Sequence, residues 1–268
     1  MIVAGVLGSP ISHSLSPLLH QTAYEFLDVQ ATYSSYEVQS GQLQNFLNGN
    51  GSHLNSLSLT MPLKEEALTI ADSVTDIARQ IQSGNTVQKI NGKWSLTSTD
   101  VEGFTFALAS HNRNAQGNVL IIGAGATARA VVAACDSVSE TVTIVSRNPE
   151  REKSIRNSGP NLAIDSIPWN SHIDFGSYDL VVNTTPSDVA SVFLDQIATA
   201  SATLFEVLYN PWPTPLLSKW RKAGGYGIDG LDLLIHQAIS QVELFSLCSV
   251  NRSEMAQLLR TAGEKALS

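Results

Sequence analysis

At 268 residues and 28.7 kDa, with 43% hydrophobic and 15% charged residues, the chain holds enough apolar material for one large domain or two ordinary ones and is too apolar for disorder. A formal net charge of -8 and a pI near 5.2 exclude a broad electrostatic surface for nucleic acid or an anionic membrane, which leaves a small molecule as the expected ligand. Cys135 and Cys248 are isolated in helix-like settings and read as core residues. The six histidines show no His-Glu-x-x-His spacing, so no metal site is expected.

In chain order, the apolar opening 1–7 has neither the positive flank nor the length of a secretory signal and reads as a strand at 2–7 of a cytoplasmic protein. A helix is expected over about 17–27, a strand at 32–38, a second helix, and a strand at 54–59. The pattern continues with a helix at 75–81, a hairpin of 87–90 and 94–97 turning at Asn91-Gly92, and a linking helix at 101–109. A second series follows: strand 119–122, an alanine-rich helix to about 137, then strands at 141–145, 162–164, 180–183 and 203–207. The apolar stretch 118–135 is interrupted by Arg129 and dense in Gly and Ala, unlike a membrane span. Helices at about 231–245, with Leu234, Ile235, Ala238, Val242 and Phe245 on one face, and from 253 to at least 262 close the chain. Strand and helix alternate throughout, which predicts an α/β fold with two separate sheets.

Gly123-Ala124-Gly125-Ala126-Thr127-Ala128 follows strand 119–122 directly and opens a helix, with Gly123, Gly125 and Ala128 in the places of Gly-x-Gly-x-x-Gly/Ala. The first glycine permits a tight turn, the second lets backbone approach a pyrophosphate, and the third small residue lets helix and strand pack. The helix N-terminus then offers free N–H groups to phosphate. Where an NAD site places an acid, the next strand ends in Ser146-Arg147-Asn148, with Arg151 following. Arg147 can meet the ribose phosphate of NADP by charge-assisted hydrogen bonds, and Ser146 and Asn148 add donors. NADP is therefore expected over NAD; the alternative is a solvated basic turn balancing Glu150 and Glu152.

The first 63 residues contain no Lys or Arg, so Lys64, in Leu59-Thr60-Met61-Pro62-Leu63-Lys64, is the first basic side chain. An amine beside an opposite charge can exchange a proton with a substrate oxygen, and Asp100 is the partner on offer. The plain alternative is a solvated lysine at the start of a helix. Upstream, Gly8-Ser9-Pro10-Ile11-Ser12-His13-Ser14-Leu15-Ser16-Pro17 clusters hydroxyls between two prolines. Ser14 and Ser16 can donate to a carboxylate or cap the helix that follows.

Together with Ser83-Gly84-Asn85-Thr86, Ser98-Thr99-Asp100-Val101-Glu102-Gly103, Asn183-Thr184-Thr185-Pro186, Tyr209-Asn210-Pro211-Trp212-Pro213-Thr214-Pro215-Leu216-Leu217 and Gly230 through Gln237-Ala238, these segments resemble the shikimate dehydrogenase family in order and over the whole chain. The resemblance implies two α/β domains flanking a cleft: residues 1–101 with 231–268 for substrate, and a Rossmann-type domain at 102–230 for NADP. It also implies an NADP-dependent oxidoreductase that interconverts dehydroshikimate and shikimate in aromatic amino acid biosynthesis, acting as a monomer or homodimer. By motif, Ser14 and Ser16 would hold the carboxylate, and Thr60, Asn85, Asp100, Tyr209 and Gln237 the ring and its hydroxyls. Lys64 and Asp100 would serve proton transfer and substrate orientation. Gly123, Ala124, Gly125, Ala126, Thr127, Ser146, Arg147, Asn148, Arg151, Val207 and Gly230 would line the cofactor. Four positions depart from the family pattern: Ser58 and Ser98 replace Asn, and Ala126 and Asp232 replace Gly. An NAD-dependent quinate/shikimate dehydrogenase and a catalytically silent ligand sensor are the competing readings.

Overall fold

The computed structural model describes residues 1–268, which separate into two compact units, Met1–Gly103 with Leu234–Ser268 (unit 1) and Phe104–Leu233 (unit 2). In unit 1 the elements run β1 (Ile2–Gly8), α1 (Ser16–Phe26), β2 (Ala31–Glu37), α2 (Leu43–Asn48), β3 (Ser56–Leu59), α3 (Leu63–Ile70), β4 (Ser73–Val74), α4 (Asp76–Gln80), β5 (Thr86–Ile90), β6 (Lys93–Thr97) and the start of α5 (Asp100–Ser110). They build a six-stranded sheet in the order β2-β1-β3-β5-β6-β4. β1, β2 and β3 are parallel, while β5 runs antiparallel to β3 and β6, so this sheet is mixed. The Asn91-Gly92 turn joins β5 and β6 with both residues at positive φ, 51° and 81°, as a two-residue hairpin of that sequence requires. Leu7, Leu43, Leu54, Leu57, Leu63, Val87 and Leu96 form the centre of one core of this unit.

Unit 2 continues with β7 (Asn118–Ile122), α6 (Ala126–Cys135), β8 (Thr141–Ser146), α7 (Glu152–Ser158), β9 (Ala163–Pro168), β10 (Leu180–Asn183), α8 (Ser187–Ala190), β11 (Thr203–Glu206), α9 (Pro215–Lys222) and β12 (Tyr226–Ile228). α10 (Gly230–Ser246) begins in unit 2 and ends in unit 1, and α11 (Arg252–Leu267) follows. The second sheet is wholly parallel, in the order β12-β11-β10-β7-β8-β9. Counted from β7 as first strand, that is the doubly wound order 3-2-1-4-5-6 read from the other edge, with its switch point between β7 and β10. Its central strands β7, β10 and β11 are almost continuously buried because both faces are covered: one core gathers Val119, Ile121, Val142 and Val182, another Leu120, Ile122, Val181 and Trp220.

One expected feature changes. Cys135 closes α6 in the core as predicted, and burial pushes its thiol up to about 11, but Cys248 lies beyond the end of α10 in irregular, half-buried chain, so it is neither helical nor a core residue. The sequence reading also passed over α9 and β12. Thr214-Pro215 was the available signal for α9, since the Thr214 hydroxyl accepts from Leu217 N (3.1 Å) and proline occupies the first turn. β12 has three residues, too few for periodicity to register. No helix is long and apolar enough to cross a membrane.

Candidate active site

In unit 1 the strand directions gather the chemistry at one edge of the sheet. β3 ends where the antiparallel β5 begins, with Ser58 opposite Thr86, and β6 ends beside the same point, with Thr97 opposite Thr86. Lys64 therefore follows β3, Asn85 precedes β5 and Asp100 follows β6, all at that edge. β1 ends there too, with Leu7 opposite Leu59, and leads to Ser14 and Ser16.

Lys64 stands in the first turn of α3 and Asp100 opens α5, and Lys64 Nζ donates to Asp100 Oδ2 at 2.6 Å. The side chains are only 16% and 7% exposed, so the amine is not the solvated lysine of the plain alternative. The other carboxylate oxygen, Asp100 Oδ1, accepts from Asn85 Nδ2 at 2.9 Å, and Asn85 Nδ2 also reaches Gln237 Oε1 at 3.1 Å and Thr99 Oγ1 at 3.0 Å. Asn85 Oδ1 in turn accepts from Thr99 N and from Thr86 Oγ1, each at 2.8 Å. Asn85 thus serves as a rigid bracket whose two ends hold the turn before α5 and the Asp100 carboxylate.

Ser16 is buried and Ser14 half-buried. Neither side chain caps α1; Ser14 Oγ accepts from Ser16 N (3.3 Å) in the turn before it. Thr60 follows β3, half-buried, and its amide donates to Leu7 O. Ser98, one of the departures, accepts from Asp100 N (3.4 Å) and so still supports the turn that carries the carboxylate.

In unit 2 the cofactor candidates follow the C-terminal ends of the parallel strands, the crevice edge of a doubly wound sheet. Gly123 has φ +115°, and a Cβ there would lie 2.3 Å from Thr184 Oγ1, so only glycine fits between β7 and the segment after β10. Gly125 is the N-cap of α6, which Ala126 and Thr127 open. Beside Ala124 and the end of β8, a cavity of about 650 Å³ is lined by Ser146, Arg147, Glu152 and Trp169. The Arg147 guanidinium lies 5.5 Å from the Trp169 ring centre, a cation–π contact, and Arg151 Nη1 donates to Ala124 O at 3.4 Å. Asn148 Oδ1 accepts from Glu150 N (2.9 Å), holding the turn that carries both arginines. Val207 and Gly230 follow β11 and β12, and Tyr209 belongs to this unit, unlike the other seven candidate substrate residues. Asp232 directs a carboxylate oxygen to His111 Nε2 at 3.0 Å.

Sequence reading missed Glu206. It is fully buried at the end of β11, accepts from Asn183 Nδ2, Thr214 Oγ1 and Leu208 N, and so ties down both ends of the segment carrying Val207 and Tyr209. Burial raises its pKa, and these donors partly offset the rise. Gln241 was also missed; it lies four residues after Gln237, an amide on an otherwise apolar helical face, and that contrast was the readable signal.

Comparison with known proteins agrees along the whole chain. The family described as shikimate dehydrogenase substrate binding domain matches residues 6–87. A shikimate dehydrogenase (NADP(+)) of Thermosynechococcus vestitus is 32% identical over 270 residues, covering 96% of this chain and 94% of the relative. The crystal structure of Mycobacterium tuberculosis shikimate dehydrogenase is 34% identical with a TM-score of 0.86, covering 97% of this chain and 99% of that one. The Thermus thermophilus enzyme in complex with NADP(H) and shikimate is 26% identical with a TM-score of 0.82, covering 98% and 100%.

A doubly wound parallel sheet with a glycine-rich first turn, in one chain with a half-buried lysine paired to a buried carboxylate, defines a dinucleotide-dependent oxidoreductase. The chain belongs to the shikimate dehydrogenase family.

Proposed function

We propose that the chain catalyses the reversible NADP-dependent reduction of dehydroshikimate to shikimate in the pathway to aromatic amino acids, with unit 1 binding substrate and unit 2 binding NADP. The observation that carries the reading is the Lys64–Asp100 pair, 2.6 Å apart and shielded from water, with Asn85 fixing the second carboxylate oxygen.

The residues of unit 2 fit NADP. Gly123, Ala124, Gly125, Ala126 and Thr127 bring open backbone and a helix start to a pyrophosphate. Ser146, Arg147, Asn148 and Arg151 offer cations and donors to a ribose phosphate, with Glu152 the acid lining the same cavity. Val207 and Gly230, which follow β11 and β12, would lie toward the nicotinamide. When bound, NADP supplies or accepts the hydride.

The chain's own residues do the rest. Ser14 and Ser16 hold the substrate carboxylate with neutral donors, and Thr60, Asn85, Asp100 and Gln237 hold the ring hydroxyls. Lys64 Nζ delivers a proton to the carbonyl oxygen during reduction and receives it from the hydroxyl during oxidation, while Asp100 keeps the amine aimed and orients the adjacent hydroxyl. The protein acts in the cytoplasm as a monomer or homodimer, without a nucleic-acid or membrane partner. Nicotinamide absorbance followed with shikimate or quinate against NADP or NAD tests the reading in four reactions. Shikimate with NADP is expected to be fastest; preference for quinate with NAD, or binding without turnover, would sink it.

A further inference from the structure

Behind the candidate site, unit 1 buries an unusual amount of hydrogen-bonding surface. Gln241 on α10 is 1% exposed, and each hydrogen-bonding position of its amide is filled. Its Nε2 donates to Asn85 O at 3.1 Å and to Thr86 Oγ1 at 2.9 Å. Its Oε1 accepts from Ser58 Oγ at 2.7 Å and from His20 Nε2 at 3.1 Å. His20 is fully buried, stacks on Tyr33 with ring centres 4.0 Å apart, and its Nδ1 accepts from the Tyr24 hydroxyl. The Tyr33 hydroxyl donates to Ser58 Oγ at 2.6 Å.

From Gln241 an unbroken path runs to the reacting amine: Gln241 Nε2 to Thr86 Oγ1, Thr86 Oγ1 to Asn85 Oδ1, Asn85 Nδ2 to Asp100 Oδ1, and Asp100 Oδ2 to Lys64 Nζ. A second branch runs from Gln241 through Ser58 to Tyr33. Gln241 is thus joined by four successive hydrogen bonds to the amine that would move the proton, all within one unit.

We propose that Gln241 is a positioning residue for the reaction, fixing the Asn85–Thr86 turn and through it the Asp100–Lys64 pair; this rests on the function proposed above. Gln241 touches none of the reacting groups. Its effect is to remove freedom from Asn85, whose carbonyl and neighbouring hydroxyl it anchors together. Partly satisfied buried networks are costly and mobile, whereas fully satisfied ones specify a single arrangement. Proton transfer is sensitive to sub-ångström placement, and ground-state binding much less so.

Two variants test this. Gln241→Glu keeps the size and both accepting contacts and loses the donated bonds, and Thr86→Val removes the hydroxyl that passes the constraint to Asn85. Each is expected to lower kcat for shikimate oxidation about tenfold with KM for shikimate and NADP within about threefold, and to raise the solvent deuterium isotope effect on kcat. A residue that only stabilised the fold would lower the melting temperature without separating kcat from KM. If Gln241→Glu does not fold, Thr86→Val carries the same test. A kcat within about twofold of the parent in a folded variant, or a loss confined to KM, overturns the proposal. The parent enzyme and Lys64→Ala are assayed alongside: a parent without shikimate turnover refutes the function, whereas an active parent, an inactive Lys64→Ala and unaffected Gln241→Glu and Thr86→Val refute the positioning role alone.

Discussion

Unit 2 is organised around a wholly parallel sheet whose strands bury Val, Ile and Leu on both faces, and its candidate functional groups sit in the turns beyond the strand ends. Unit 1 has a mixed sheet with an apolar centre and, beside it, a buried polar layer of His20, Tyr33, Ser58, Asn85, Thr86, Asp100, Gln237 and Gln241. The two solutions suit different chemistry. A phosphate-bearing cofactor can be held by backbone and flexible cations over a rigid apolar platform. A proton shuttle needs its amine held to within a fraction of an ångström, and pairing it with a carboxylate that buried hydrogen bonds hold in place accomplishes that.

The largest expected effect tests the polar side. Lys64→Ala should lower kcat by about 10² to 10⁴-fold with little change in shikimate KM, measured by nicotinamide absorbance. Loss of binding with normal turnover would make the lysine an anchor instead. On the platform side, Arg147→Ala should raise KM for NADP by roughly 10 to 100-fold and leave KM for NAD nearly unchanged, as expected for lost hydrogen bonds to a charged group.

The two interiors should also separate by pH. Burial lowers the pKa of His20 to about 3, with the Gln241 hydrogen bond partly opposing the shift, while an unfolded histidine titrates near 6.5. The unfolded chain therefore binds a proton that the folded chain refuses. Stability from this group is complete above about pH 6.5 and falls by roughly 1.4 kcal/mol per unit as pH drops toward 3. Urea titrations at pH 7 and 5, with hydrogen exchange of α1 amides, should show the loss, and His20→Leu should flatten it. The smallest effect is Ile121→Val in unit 2, costing about 1 kcal/mol equally at pH 7 and 5, since no titratable group lies in the step. A pH-dependent cost there would blur the contrast.

The apolar platform was legible because periodicity reports it directly: strand 119–122, the glycine turn and Arg147 fall in sequence order within one βαβ unit, so a local pattern carries the site. The hairpin at Asn91-Gly92 was legible for the same reason. The polar layer was not. Lys64 and Asp100 are 36 residues apart and Asn85 and Gln237 are 152 apart, and no local spacing encodes that meeting. Motif resemblance supplied those residues, but it named none of His20, Tyr33 or Gln241 and gave Thr86 no role, because these roles arise only from where the side chains end. Ser58 shows the limit most plainly: in the sequence it is only a departure from the family pattern, yet its hydroxyl joins Tyr33 to Gln241.

The saturated amide at position 241 has a consequence in the genetic code. Among the side chains only glutamine and asparagine combine two donors with two acceptors on one planar group, and asparagine is a methylene shorter. Single-base changes in a glutamine codon lead to Glu, Lys, His, Arg, Leu, Pro or termination, and never to asparagine. Every one-step path from this residue therefore leaves at least one of four buried partners without its match, so position 241 should resist drift in a way its distance from the reacting atoms would not suggest.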